Sequence, residues 1–162
     1  MTERKNINEC SQRLAKFSSE IRKLTLKRLR EVPEGFMNWR LNNTAMSFVD
    51  ITQHLINVDE LLFNMLITKE KRFQWKLGSE DAHIQVDRLA FEAMVVKLKK
   101  FQLKRHNVIC DLDDTEMNIE VTEENGKKMT FWWFFMHKLL EHEIYHRGQI
   151  AAYLKVLKGE SP

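Results

Sequence analysis

The stretch 130–158 constrains this chain most. It reads as one long helix whose inner seam mixes apolar and polar residues. Phe135, Leu139, His142, His146, Gln149, Tyr153 and Val156 follow alternating four- and three-residue steps, the spacing of a buried helix–helix contact. Packing alone would place Leu or Ile where His142, His146 and Gln149 stand, and burying polar groups without partners is unfavourable. The two histidines are four residues apart, so they project from one face with Cβ atoms about 5–6 Å apart. That separation suits two imidazoles sharing one metal ion.

The rest of the chain repeats this helical pattern. Its 162 residues hold five Gly and two Pro, a poverty that suits long helices joined by few loops, and the length favours one domain over 1–162. A first helix is predicted over 6–32, with Ile7, Cys10, Leu14, Phe17, Ile21 and Leu24 on its seam. Arg22, Lys23, Lys27, Arg28 and Arg30 crowd its end and read as a solvated face beside a helix C-terminus. Ser47 with Asp50 three residues on forms a capped start for a second helix over 47–68. Its seam is Ile51, His54, Val58, Leu61 and Met65, so a histidine again replaces an apolar residue. Gly78, Ser79, Glu80 and Asp81 offer start signals for a third helix running to about Arg105, with a broad stripe of Val86, Leu89, Ala90, Ala93 and Val96 and with Met94, Leu98 and Phe101 alongside. The stretch 107–129 does not read as helical. Asn125-Gly126 signals a hairpin turn, and Ile109, Leu112, Met117, Ile119, Val121 and Met129 predict an ordered cover over one end of the bundle. Thr130 caps the last helix. The expectation is an all-α four-helix bundle whose long connection between helices 3 and 4 permits a non-standard helix order.

Composition excludes several classes. No run of 18 apolar residues is present to span a membrane, and no apolar stretch follows the N-terminal residues as in a secretory signal. Cys10 and Cys110 do not make a disulfide scaffold, which places the expected location in a reducing cytoplasm. A net charge of +3 sets no expectation of nucleic acid.

His54, His142 and His146 therefore form the candidate constellation. Three neutral imidazoles with an open fourth position make the ligand set of a catalytic zinc site, and the same set suits nickel or iron. The competing reading is three hydrogen-bonded core histidines, but converging imidazoles without a metal would repel once protonated. His83, at a helix start, and His106, at a helix end, read as surface charges; His137 is five residues before His142 and off its face. A rival motif shares the stretch: His142-Glu143-x-x-His146 matches the zinc-peptidase helix in which Glu is the general base. Ala152 stands where the extended form of that motif places a third His. A di-iron bundle would need a second Glu-x-x-His, which is not found.

The residues His142-x-x-x-His146-Arg147-Gly148-Gln149-Ile150, followed by Ala-Ala-Tyr-Leu and Gly159, resemble the closing helix of the DinB-like superfamily. Trp39-Arg40, then Met46-Ser47-Phe48-Val49-Asp50-Ile51-Thr52-Gln53-His54-Leu55, is similar to that family's second helix and its first ligand. The resemblance implies a four-helix bundle of DinB-like type and a divalent metal, zinc or nickel, held by His54, His142 and His146 with water completing the shell. It also implies one of several activities on a small-molecule substrate: thiol-S-transfer with a low-molecular-weight thiol, thiol-dependent isomerisation, or metal-dependent hydrolysis. A non-enzymatic, metal-stabilised binding or stress protein is the alternative.

Glu143, Tyr145 and Gln149 are the candidates for catalytic or proton-transfer roles, and Asp50, one turn before His54, either caps its helix or holds the second nitrogen of His54. Trp132, Trp133 and Phe134 surround the last seam and predict a homodimer interface.

Overall fold

The computed structural model describes residues 8–73 and 83–159. Among them, long helices α1 (Glu9–Arg30), α2 (Phe48–Thr68) and α3 (Arg88–Cys110) are followed by a single turn, α4 (Asp114–Met117). A small sheet contains β1 (Arg72–Phe73), β2 (Glu120–Glu123) and β3 (Lys128–Thr130). The last helix is a continuous run of three parts: α5 (Phe131–Trp133), a π-helical segment (Phe134–Glu141) and α6 (His142–Leu157).

Local chemistry sets most of these boundaries. Asn8 caps α1, accepting from the N–H groups of Cys10 and Ser11. Ser47 and Asp50 form a reciprocal capping box on α2. Thr130 caps the last helix through the Trp133 N–H. The third helix departs from expectation. The start signals at 78–81 lie outside the described residues, the chain from His83 to Asp87 is not helical, and α3 begins at Arg88 under an Asp87 cap and continues to Cys110. His83 thus precedes the helix instead of opening it, and 107–110 belong to α3.

The bundle order is unusual. α1 packs on α3 and α6, and α2 packs on the same two, so the first two helices sit at opposite corners. The connector 31–47 crosses between them. α1 and α3 run antiparallel: Ser11 Oγ donates to the Leu112 carbonyl, Gln102 Nε2 to that of Ser19, and an Arg88 guanidinium nitrogen to that of Val32. The 111–129 segment closes one end, as expected. β2 and β3 pair antiparallel with Val121 opposite Met129, and Gly126 takes φ +84°, the left-handed backbone the hairpin turn requires. β1 adds to β2 in parallel, Phe73 beside Glu123. Ile109, Leu112, Met117 and Val121 are buried in the core, while Ile119 stays at the surface.

Burial corrects three seams. On α1, Leu14 and Ile21 face inward, but Cys10, Phe17 and Leu24 are exposed; Ser11, Ala15, Ser18, Arg22, Leu26 and Leu29 complete the inner face. On α3 the inner residues are Phe91, Val95, Leu98, Arg105 and Ile109, whereas Leu89, Ala90, Ala93 and Val96 point to solvent. In the last helix, Phe134 and Phe135 are both fully buried, as are Leu139 and Leu140. That five-residue recurrence is the period of i→i+5 hydrogen bonding, so the π segment turns into the core two aromatic rings that a straight α-helix would divide between faces. Phe134 is therefore a core residue; of the predicted aromatic interface only Trp133 is exposed, its ring stacked on His137 at 4.6 Å.

Between two apolar clusters lies a layer of buried charge. Each bundle helix contributes one member: Arg22, Asp59, Arg105 and Glu143, all at most 1% exposed. Arg22 grips Glu143 with two nitrogens, at 2.7 and 3.0 Å, and reaches Asp59 at 2.8 Å. Arg105 bridges Asp59 at 3.0 Å and Glu143 at 2.9 Å. Arg22 is thus not part of a solvated face. Burial opposes its charge, but Asp59 and Glu143 outweigh burial and hold the guanidinium above its usual range. Burial likewise pushes the Glu143 carboxyl up, and the two arginines overcome it and hold it down at about 2.

Removing one member strands the opposite charges in the core. Glu143→Ala and Asp59→Ala should each lower the unfolding free energy by about 3–5 kcal/mol in urea titrations; a loss under about 1 kcal/mol, the range of an exposed pair, would contradict this account. Because the folded carboxyl of Glu143 is depressed from 4.5, its contribution is complete above that pH and disappears as pH falls toward about 2.

Candidate metal centre

α2 and the last helix face each other at the level of the charged layer, and there His54 meets His142 and His146. The three are 88 and four residues apart in sequence, yet their ring nitrogens lie within 4.8 Å of one another. His142 Nε2 stands 2.5 Å from His54 Nε2 and 3.0 Å from His146 Nε2. Ring centroids are 4.6–4.8 Å apart. His146 is buried, and the other two are partly buried.

The protonation state follows from the surroundings. Burial, then the neighbouring His146 and His142, push the His54 imidazole from the usual 6.5 to about 3. Burial, then His146 and Lys138, take His142 to about 4. Burial lowers His146 as well, against the opposing pull of Gln149 and Glu143. All three are neutral at pH 7, the state a metal ligand requires. The tautomer of His146 is also fixed. Gln149 Nε2 donates to the Tyr153 hydroxyl at 2.9 Å, which turns its Oε1 toward His146 Nδ1 at 3.1 Å. Nδ1 then carries the proton, and the Nε2 lone pair faces the other two rings. Bare lone pairs converging at this distance need a cation or a shared proton between them. The donor set therefore fits a divalent ion that prefers imidazole nitrogen.

The remaining candidates fall in different places. Gln149 touches the triad directly through His146. Tyr145 is 69% exposed and lays its ring edge-on to His146, with centroids 5.3 Å apart. Glu143 points away from the imidazoles, both its oxygens held by guanidinium groups. Asp50 follows the capping alternative: it accepts from the Ser47 and Ile84 N–H groups and lies 3.1 Å from His83 Nδ1. Burial raises its carboxyl, but those N–H groups prevail and lower it. His106 sits within α3 against Ser19, and His137 pairs with Glu141 at the surface.

Two features were missed in the sequence. By its spacing Tyr153 is one more apolar seam position, yet it anchors Gln149 while its own ring is wedged edge-on against Trp39 and Phe48. Asp59, adjacent to Val58 on the inner side of α2, is the available signal for the charged layer.

Comparison with known proteins places this geometry. A model of the DinB family matches residues 3–162. The chain belongs to that family. A DinB-like protein of Bacillus subtilis, YjoA, superposes with a TM-score of 0.66 at 18% identity, covering 90% of this chain and 92% of that one. YfiT from Bacillus subtilis, described as a probable metal-dependent hydrolase with an unusual four-helix bundle topology, superposes with a TM-score of 0.61 at 14% identity, covering 99% and 95%. At these identities the likeness shows a shared fold. No curated protein sequence matches the chain.

The triad makes two predictions. His54→Ala should weaken divalent-metal binding about as strongly as His146→Ala in calorimetric titration, since either leaves only two protein ligands; His137→Ala should leave it unchanged. In metal-free protein the depressed imidazoles make stability complete above pH 6.5 and progressively lost as pH falls toward about 4, where the unfolded chain takes up protons the folded chain refuses. Thermal midpoints of the metal-free protein across that window check the sign, and added metal should raise them by mass action.

Proposed function

We propose that this DinB-family protein is a metal-dependent enzyme acting on a small molecule, either a hydrolase or a transferase using a low-molecular-weight thiol. The observation that carries the reading is the convergence of three neutral imidazoles from two helices on one point. A zinc or nickel ion there would act as a Lewis acid, polarising a substrate and easing the deprotonation of water or a thiol. The protein's own contribution is orientation and charge. Gln149 holds His146 in the tautomer with a free Nε2, and Tyr153 holds Gln149. The buried layer next to the triad pairs two arginines with two carboxylates, so it offers no net negative charge to offset a dication. Tyr145, exposed beside His146, is the candidate for exchanging a proton with substrate.

The buried position of Glu143 weighs against the zinc-peptidase alternative. A general base needs a free lone pair near the attacking water, whereas this carboxylate is turned into the core and held at about 2. Trp133 and Ile144 leave apolar surface on the last helix, which supports a homodimer through that helix.

Metal analysis of the purified protein should find about one divalent ion per chain. The same preparation, assayed with several thiols and an electrophile and with small ester and amide substrates, should show activity that a chelator removes and the metal restores. A bound ion with no turnover in any assay would favour the non-enzymatic, metal-stabilised alternative. Light scattering should give a dimer that Trp133→Glu dissociates.

A further inference from the structure

The outer face of α3 carries apolar residues that the bundle does not use. Leu89, Ala93, Val96, Lys100, Leu103 and Asn107 are all exposed, and they follow one another in alternating steps of four and three. Leu89 is 78%, Val96 52% and Leu103 65% exposed. This is the a/d spacing of a helix–helix seam, complete over nearly three heptads and turned to solvent. Isolated exposed leucines are ordinary, but three branched aliphatics in one line at seven-residue intervals form a stripe.

The seam already has the parts of a specific helix contact. Leu89, Val96 and Leu103 occupy one of its two core positions, and Ala93 leaves room for close approach at the other. Lys100 and Asn107 put polar groups at that second position, where such residues select register and partner. The flanks carry the charge. Glu92 is the acidic flank and is taken by Arg88. Lys97 reaches Glu60 across the surface. Lys99, Lys100 and Lys104 make no ion pair among the described residues, and the Lys104 ammonium lies over the Phe63 ring at 4.1 Å. Lys99 and Lys104 therefore leave the flanks of this seam with basic charge that no acidic side chain among the described residues pairs.

We infer that the outer face of α3 docks an amphipathic helix of another protein, with aliphatic seam residues and acidic flanks. A second copy of this chain presents the same lysines and would set like charges opposite each other across the contact. An acidic helix supplies the opposite charge at Lys99 and Lys104. Its place is on the wall away from the triad, since α3 and the last helix occupy opposite corners of the bundle.

The test uses the full chain and two synthetic three-heptad helices with identical Leu seams, one flanked by Glu and the other by Lys, followed by fluorescence anisotropy. The Glu-flanked helix should bind, more weakly as salt rises, and the Lys-flanked one should not. Val96→Glu and Leu103→Glu should each weaken binding by about tenfold or more. Both sites are exposed, so circular dichroism and metal affinity should stay unchanged. Replacing Lys99 and Lys104 together by Glu should exchange the preference to the Lys-flanked helix. Equal binding of both peptides, or of neither, overturns the inference. So does a self-association seen by sedimentation that Leu103→Glu abolishes, which would assign the face to a second copy, or binding to phosphatidylserine vesicles, with no peptide binding, that Val96→Glu abolishes, which would assign it to lipid.

Discussion

Four buried charges from four helices hold this bundle in a single arrangement. Arg22, Asp59, Arg105 and Glu143 are drawn out of water together, and each satisfies two others through short, charge-assisted hydrogen bonds. Ions buried this way are weak contributors to net stability, because desolvation offsets much of their attraction. Their effect is on specificity. A slip of one helix by a turn, or a rotation that would leave apolar packing nearly as good, strands a charge in low dielectric. The same constraint explains the corner positions of α1 and α2. Only with α1 between α3 and α6 can Arg22 grip Glu143 with one edge of its guanidinium while its remaining nitrogen reaches Asp59.

The histidine triad depends on that register. Glu143 immediately follows His142, so fixing its carboxylate on Arg22 and Arg105 sets the rotation of the last helix about its axis. With Glu143 aimed at α1 and α3, His142 and His146 face His54 on α2. The π segment ends at Glu141, directly before these residues. It brings Phe134, Phe135, Leu139 and Leu140 all into the core and passes the chain to α6 at the phase the quartet and the triad both need. π-helical turns are rare and concentrate at functional sites, and here the wider turn reconciles an aromatic-rich packing surface with a ligand-bearing one on a single helix. Gln149 and Tyr153 finish the alignment from within α6, and through Trp39 they tie the triad to the connector between α1 and α2.

Much of this is legible in the amino-acid sequence. The caps at Ser47, Asp50 and Thr130, the hairpin at Asn125-Gly126 and the three histidines all announce themselves through short-range rules. A capping hydroxyl, a left-handed glycine or a histidine on an apolar seam is a local misfit with few explanations. The α3 face was not legible for the opposite reason. This helix has aliphatic residues on two sides, so hydrophobic spacing fits either, and Leu89, Ala93 and Val96 made as good a seam as Phe91, Val95 and Leu98.

The sequence by itself determined that the chain forms long helices, where most of them begin, and which imidazoles stand among apolar neighbours. Tertiary structure decided which face of α1 and α3 turns inward, that Arg22 is a core residue and that Glu143 serves the fold while His142 beside it serves the site. The physical reason is that periodicity reports the spacing of apolar groups along one helix. The burial of a charge depends on counter-charges that arrive from other helices, 37 residues away for Asp59 and 121 for Glu143 as seen from Arg22.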